Sequence, residues 1–263
     1  AGLGSAERPL GVYFLVGPTG VGKTYFTKLV AERLFGDPER MLRFDLSEYQ
    51  GRYAIEKLIG SPHDKDREGL LTEAVRNQPF SVLLFDEFEK ADKEVFSLFL
   101  QIMDEGRLTD ARGETTDFRQ TLIFLTSNLG ASKTSVAPVG FSATEHRLFE
   151  GHIRKKLDEF FAPEFLNRLD ETIVFEPLTE RAMGRLVDIE IKKALERRGF
   201  RRRNLNVHVD KDARLWLADN GFSQRFGARE LKRTIERSVL TPISRLLVSE
   251  AGPHDGKHVL VGS

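Results

Sequence analysis

Residues 17–24 have the residue types and the spacing of a loop that binds phosphate groups. Three glycines allow successive backbone N–H groups to point inward, and a helix that begins near Lys23 adds the positive end of its dipole. The Lys23 ammonium group can reach the β- and γ-phosphates of a nucleotide, and the Thr24 hydroxyl can ligate Mg²⁺. The alternative is a glycine-rich turn without a ligand. The loop predicts a site for ATP or ADP with Mg²⁺, formed by Gly17, Pro18, Thr19, Gly20, Val21, Gly22, Lys23 and Thr24.

Two adjacent carboxylates, Asp86 and Glu87, follow a continuous apolar run that is typical of a buried strand. Beside a phosphate loop, Asp86 would hold Mg²⁺ directly or through water, and Glu87 would orient and deprotonate the attacking water. Alone, such a pair could equally cap a helix. Asn128 also ends a predicted strand, where it can hydrogen-bond the water or the γ-phosphate, although a lone Asn there is often a turn former.

The composition permits one large domain and one small one, since the chain has 263 residues. Forty Lys and Arg balance forty Asp and Glu, but residues 178–263 carry eighteen basic and eleven acidic residues, so they are net positive. The absence of Cys excludes disulfides and thiolate catalysis. No apolar run approaches a membrane span and no secretory signal is visible, so we expect a cytoplasmic protein without a membrane partner. The first residue is Ala, which suggests a piece of a longer protein.

The elements around these residues alternate between strands and helices. We predict five strands near residues 11–16, 41–46, 81–85, 121–125 and 172–175. A helix over 24–35 would bury Phe26, Leu29, Val30 and Leu34 and end at Gly36. Residues 105–118 read as a loop or a hairpin. The pattern predicts a three-layer α/β fold with the ligand at the carboxyl ends of the strands.

A second unit is predicted after a hinge near Pro177. Thr179 can cap a helix whose apolar face carries, among others, Met183, Val187 and Ile191. Short strands at 205–209 and 257–261 flank a helix at 210–220 and a long helix at 228–247. We expect that long helix to kink at Pro242.

Six segments together resemble the second ATPase module of the Clp/HSP100 unfoldases, which belong to the AAA+ family (ClpA, ClpB and ClpC types). The resemblance implies an α/β fold: a three-layer αβα P-loop domain with a parallel five-stranded sheet over residues 1–176. A small, mainly helical C-terminal lid domain would then occupy residues 177–263. The segments lie at residues 17–24, 84–91, 104–110, 126–130, 163–170 and 226–231.

The resemblance also implies a mechanism. It predicts an enzyme that hydrolyses ATP and remodels or unfolds protein substrates as part of a hexameric homo-oligomer. Arg168 would be an arginine finger that acts in trans on the neighbour's nucleotide, and Arg229 would sense the γ-phosphate. The residues alone leave other readings open: Arg168 could pair with Asp170 or Glu171, and Arg229 could be an ordinary first residue of a helix.

The loop within residues 59–73 departs from the family. Clp unfoldases carry Gly-aromatic-Val-Gly there, and the aromatic side chain grips substrate in the central pore. This chain has charged residues and His63 instead. The alternative function is therefore an assembly or scaffold ATPase that does not thread polypeptide.

Two further segments bear on partners. Val139, Gly140 and Phe141 lie where peptidase-coupled relatives carry a tripeptide that docks on a ClpP-like peptidase, and an exposed Phe could fill a hydrophobic pocket. The arginine run within 197–203 could suggest nucleic acid. It has one interleaved aromatic residue and no recognition motif, which favours a solvated face or a contact with an acidic domain.

Overall fold

The computed structural model describes residues 7–51, 53–61, 68–130, 143–196, 206–221, 229–249 and 258–262. The chain divides into two compact units. The first comprises most of the chain up to Phe175, and the second runs from Glu176 onwards. Among the helices of the described part, none is long and apolar enough to cross a membrane.

The first unit is built on a parallel sheet of five strands in the order β2-β3-β6-β1-β7, with a separate antiparallel hairpin, β4-β5. The predicted fold class is confirmed. The strands are β1 Gly11–Val16, β2 Met41–Asp45, β3 Ser81–Asp86, β4 Arg107–Thr109, β5 Thr115–Asp117, β6 Thr121–Ser127 and β7 Glu171–Val174. The helices are α1 Lys23–Phe35, α2 Ala54–Ile59, α3 Leu70–Asn77, α4 Lys93–Glu105, α5 Ala143–Phe160 and α6 Pro163–Leu166.

Of the three inner strands, β3 and β6 are buried along their whole length. Their near-continuous apolar sequences suit strands that are covered on both faces. Because all five strands run in the same direction, their carboxyl ends meet at one edge of the sheet. The loops that carry the predicted site residues Gly17–Thr24, Asp86–Glu87 and Asn128 leave the sheet at this edge.

Helix α1 packs through only part of the face that the sequence predicted, since Phe26 and Val30 pack against the core as expected. Its buried residues are Lys23, Thr27 and Ala31, which share one stripe at a spacing of four. Leu29 and Leu34 were expected on the apolar face but are 39% and 59% exposed. The predicted end at Gly36 is confirmed, because this glycine adopts a left-handed conformation and its N–H bonds Glu32 O.

A cluster of phenylalanines fills the space between β1, α4 and the segment that ends in α6. The Phe88 ring, directly after Glu87, stacks on Phe165 with ring centroids 5.1 Å apart. Phe14 of β1 contacts both of these rings edge to face, at 6.2 and 6.3 Å. Packed aromatic pairs are geometrically specific. This cluster therefore holds the short helix α6 against β1 and against the turn that follows Glu87.

The second unit contains α7 Glu180–Leu195, β8 Asn206–Val209, α8 Lys211–Asn220, α9 Arg229–Ile235, α10 Thr241–Ser249 and β9 His258–Val261. As predicted, Thr179 caps α7 by accepting a hydrogen bond from Ala182 N at 3.2 Å, and Met183, Val187 and Ile191 are buried. The single helix predicted over 228–247 is instead interrupted between α9 and α10 by a π-helical segment, Glu236–Leu240. This segment lies just before Pro242, whose missing N–H disturbs the regular bonding pattern.

Candidate functional site

The phosphate loop leaves β1 at Gly17, where the backbone has no room for a side chain. Gly17 has φ of +155°, and a Cβ atom there would lie 2.2 Å from the carbonyl oxygen of Phe175. Gly17 N donates to Ser127 O at 3.2 Å, which ties the start of the loop to β6. Only glycine fits at this position, because the backbone at Phe175 approaches too closely for a side chain. Helix α1 begins at the end of the loop, directly after Gly22.

The Lys23 side chain is 7% exposed and folds back over the loop. Its ammonium group donates to Gly17 O at 2.6 Å, to Pro18 O at 2.9 Å and to Asn128 Oδ1 at 2.9 Å. A buried ammonium group needs such acceptors. These contacts bring the predicted lysine and the predicted asparagine together at the mouth of the loop. Thr24 lies beside Lys23 in the first turn of α1 and is half-buried.

Asp86 ends β3 as a buried carboxylate whose two oxygens have different donors. The Thr126 hydroxyl donates to Oδ1, and Arg43 Nη2 donates to Oδ2 at 2.6 Å. A carboxylate has about four acceptor positions. Asp86 therefore keeps acceptor capacity for a cation or for the water molecules around one.

Glu87 adopts a left-handed conformation with φ of +54°, which is unusual for any residue except glycine. Its N–H donates to Thr126 Oγ1 at 3.2 Å. Burial, followed by the neighbouring carboxylates of Asp45, Glu89 and Asp86, raises the pKa of Glu87 above its ordinary value. A carboxylate with a raised pKa is a stronger base, as a group that takes a proton from water must be.

Asn128 follows β6 and is held by contacts on both of its polar groups. Its backbone N–H donates to Glu89 Oε1 at 3.1 Å, while its side-chain oxygen accepts the bond from Lys23. The other oxygen of Glu89 is buried and has no hydrogen-bond partner among the residues that the structure describes. These contacts aim the Asn128 side chain at the phosphate loop.

Arg168 lies at the opposite edge of the sheet. It precedes β7, which runs parallel to β1 with Glu171 beside Tyr13, whereas the phosphate loop follows the other end of β1. Its Nε donates to Asp104 Oδ1 and Oδ2 at 2.7 and 2.8 Å, and hydrogen bonding to Asp104 raises the pKa of Arg168. The ion-pair partners suggested by sequence, Asp170 and Glu171, were wrong.

Asp170 does not pair with Arg168 because it has another role: its Oδ2 accepts a hydrogen bond from Val12 N at 2.7 Å.

Several other predicted residues lie outside the described residues, wholly or in their side chains. Arg229 is the first residue of α9, but its side chain is not among the described ones. Val139, Gly140 and Phe141, His63 with the charged residues around it, and the arginines at 197–203 all lie outside the described ranges.

Sequence reasoning missed two residues that position the carboxylates, Thr126 and Arg43. Thr126 contacts both Asp86 and the Glu87 backbone. Arg43 lies two residues before Asp45 on β2, and the register pairs Asp45 with Asp86. Residues two apart share a face of a strand, so Arg43 could have been found once β2 was known to lie beside β3.

The fold and the site together define a class of protein. A phosphate loop after the first strand of a parallel sheet, a strand-end Asp-Glu pair and an Asn on the strand between them characterise the P-loop ATPases of the AAA+ type. The order β2-β3-β6-β1-β7 places the Asn128 strand directly between the strand of the loop and the strand of the carboxylates.

Comparison with known proteins narrows this class. The family model described as "AAA domain (Cdc48 subfamily)" matches residues 8–172, and the one described as "C-terminal, D2-small domain, of ClpB protein" matches residues 178–261. The chain therefore belongs to the Clp/HSP100 branch of the AAA+ ATPases, and it corresponds to the second ATPase module of that branch.

Individual relatives agree with this assignment. The chain is 44% identical to "Chaperone protein ClpB" of Rhodopseudomonas palustris, over 100% of this chain and 30% of the relative. The ClpB chaperone of Meiothermus ruber is also 44% identical, over 100% of this chain and 31% of the relative. Among solved structures, the S. cerevisiae Hsp104-ADP complex matches with a TM-score of 0.85 and 34% identity, over 100% of this chain and 45% of that chain. The chain thus spans about a third of the length of these curated relatives.

Proposed function

We propose that this chain is the ATP-hydrolysing motor module of a protein-remodelling machine. The observation that carries the proposal is the convergence of Lys23, Asn128, Asp86 and Glu87 at one edge of the sheet, directly or through Thr126. ATP hydrolysis needs phosphate binding, metal binding, activation of water and sensing of the γ-phosphate within one small volume, and these four residues could supply them.

The residues present fit Mg²⁺-ATP. Residues 17–24 would bind the phosphates, and Thr24 and Asp86 would hold the metal ion through hard oxygen ligands, which suit Mg²⁺. Within the described ranges, no group of three or more His, Cys, Asp or Glu residues could hold a metal ion by itself. This agrees with a cation bound by one carboxylate, water and nucleotide phosphates rather than by a protein cage. When bound, Mg²⁺ would neutralise charge on the transferred phosphoryl group.

Glu87 would act as the catalytic base. Its backbone is held by Thr126 in an unusual conformation, and its raised pKa suits proton acceptance from water. Unusual backbone conformations concentrate at functional sites, where the surrounding structure maintains them. Asn128 would orient the same water or the γ-phosphate.

Arg168 would complete the site of a neighbouring copy. The six residues of β1 separate the level of Arg168 from the phosphate loop of the same chain. At ~3.3 Å per residue this is roughly 20 Å, far beyond the reach of one side chain. We therefore propose a ring of identical modules, with six members as in the family, in which Arg229 reports the γ-phosphate to the lid.

For the output, we propose remodelling of protein substrates by the full-length protein. The relatives reported above are named chaperones, which favours a free-standing remodelling role over docking on a ClpP-like peptidase. The match to this branch likewise favours protein over nucleic acid as the substrate. A scaffold ATPase that does not thread polypeptide is the second candidate, favoured by the missing aromatic residue in the loop within 59–73.

The test uses Glu87→Gln in the full-length protein, with the exposed Glu94→Gln of α4 as the matched control. Glu87→Gln should bind ATP normally, because the phosphate loop is unchanged. It should hydrolyse ATP at least ~100-fold more slowly, because the catalytic base is lost. Near-normal turnover would refute the role of Glu87. A labelled unstructured polypeptide separates the two outputs, since only a motor translocates it in an ATP-dependent manner.

A further inference from the structure

One guanidinium group, that of Arg8, joins two segments that are far apart in sequence. Its Nε donates to the carbonyl oxygen of Met103 at 2.9 Å, and its Nη2 donates to the carbonyl oxygen of Arg168 at 2.7 Å. Met103 lies in the last turn of α4, where main-chain carbonyls lack partners within the helix. The backbone of Arg168 is thereby fastened to the end of α4.

The side chains of these same two segments also meet. Asp104, the residue after Met103, accepts a bifurcated hydrogen bond from Arg168 Nε through both carboxylate oxygens. Arg168 Nη1 also donates to Glu164 O at 2.6 Å. Arg8 therefore fixes the distance between the backbone of Arg168 and the end of α4, and the Arg168–Asp104 ion pair forms across this distance. The side-chain contacts of Arg168 set the direction of its guanidinium group.

The segment that carries Arg8 is itself fixed. Gly106, which ends α4, has φ of +59°, and a Cβ atom there would lie 2.5 Å from Glu7 O. Leu10 N donates to Thr121 O at 2.9 Å, and Val12 O accepts from Asp170 N at 2.9 Å. The segment then continues into β1. A rigid strand thus begins just after Arg8 and ends at the phosphate loop.

We propose that Arg8 is a positioning residue for Arg168, holding it at the place from which it reaches the neighbouring copy. The inference rests on the proposed function, in which Arg168 acts in trans. Arginine suits this task because its planar fork satisfies two acceptors in fixed directions, which a lysine cannot reproduce. The simpler alternative is that Arg8 only satisfies the end of α4, in which case its loss would affect stability alone.

The experiment is a mixing assay with the full-length protein. Arg8→Ala alone should lower kcat by ~10- to 100-fold at nearly unchanged nucleotide affinity, because only the transition-state contact in the neighbour is displaced. Lys23→Ala subunits cannot bind nucleotide but keep a positioned Arg168. In an equal mixture about half of the Arg8→Ala subunits gain such a neighbour, so about a quarter of the wild-type rate should return in a cyclic ring.

A parallel mixture of Arg168→Ala with Lys23→Ala tests the trans role of Arg168 separately from the positioning role of Arg8. If this mixture stays inactive, the trans role of Arg168 in the proposed function is wrong. If it recovers while the Arg8→Ala mixture does not, Arg8 acts within its own subunit and the inference is overturned. A wild-type rate for Arg8→Lys would also overturn it, since a single ammonium group would then suffice.

Folding is controlled separately. Arg107→Ala is the matched control, because this largely exposed arginine follows α4 and forms a surface ion pair with Glu105 at 3.0 Å. It should leave kcat unchanged. If Arg8→Ala does not fold, the neutral Arg8→Gln takes its place in the same mixtures, with the same expected recovery. Loss of thermal stability without loss of kcat in either variant would support the simpler capping role and refute the positioning role.

Discussion

Thr126 is the residue on which the geometry of both carboxylates depends. Its hydroxyl donates to Asp86 and accepts from the Glu87 N–H, and the residue is 1% exposed. Thr126→Val keeps the size and the branched shape but removes both hydrogen bonds. Asp86 then loses a buried donor, and the left-handed Glu87 loses the bond that holds its backbone.

The size of the effect follows from these two bonds. A hydrogen bond to a charged group contributes ~1.5–3 kcal/mol, and the neutral one about 1 kcal/mol. If the hydrogen bond from Thr126 to Asp86 stabilises mainly the transition state of hydrolysis, its loss lowers kcat by ~10- to 100-fold. Nucleotide affinity should change by no more than about threefold, because the phosphate loop keeps its contacts.

Thr121→Val is the matched control, since Thr121 begins the same strand, is fully buried and donates to Phe118 O at 2.7 Å. It loses one neutral hydrogen bond and should cost about 1 kcal/mol of stability without lowering kcat. Single-turnover hydrolysis, nucleotide titration and thermal unfolding would be measured for both variants. If Thr126→Val and Thr121→Val have the same kcat within about twofold, Thr126 does not position the carboxylates.

Two predictions concern pH. Burial and then the Asp45 carboxylate raise the pKa of Glu87, so kcat should fall with decreasing pH at a higher pH than for an ordinary glutamate, and Asp45→Asn should move this fall to lower pH. Burial raises the pKa of Asp110, but hydrogen bonds from the N–H groups of Glu114 and Arg112 and from Arg76 outweigh it and lower the pKa overall. Its contribution to stability is therefore present above the unfolded-state pKa and is lost as the pH falls through the folded-state value. Asp110→Asn should cost ~1–3 kcal/mol at neutral pH and progressively less in acid.

Each of these has a control within the chain. Asp37 caps the short helical turn before β2 as Asp45 caps the one after it, so Asp37→Asn should leave the pH profile of kcat in place. An unchanged profile in Asp45→Asn would show that its charge does not act on Glu87. Asp117, in the same hairpin as Asp110, is half exposed and pairs with Arg119 at the surface. Asp117→Asn should therefore lower the free energy of unfolding by less than ~1 kcal/mol. If Asp110→Asn lowers it by no more than this, the hydrogen bonds to Asp110 do not stabilise the fold as a buried network.

The parts of the site that the sequence predicted are those carried by contiguous segments. The phosphate loop is one such segment, and parallel strands bring their carboxyl ends to one edge whatever their order, so Asp86 and Asn128 could be expected near it. Thr126 and Arg43 could not be assigned in the same way. Their roles depend on which strands are neighbours and on the register between them, which no local pattern specifies.

Two fold details show the same limit. Of the apolar face that periodicity predicted for α1, Phe26 and Val30 pack against the core, but Leu29 and Leu34 are exposed. The buried positions include Thr27 and Ala31, because small residues allow close approach to the sheet. Pro242 predicted a distortion of the last long helix. The form of that distortion, a π-helical segment before the proline, depends on how α9 and α10 pack against the rest of their unit.

The positions of the phosphate loop and of Arg168 bear on how copies of the chain would associate. The loop follows the carboxyl end of β1, whereas Arg168 lies level with its amino end and is held there by Asp104 and Arg8. A two-fold contact could complete two sites reciprocally, but it would stop at a dimer. The ring proposed above instead needs a heterologous contact, and repetition of such a contact closes into a ring or continues as a filament. A ring leaves no site incomplete, and for that reason we favour it.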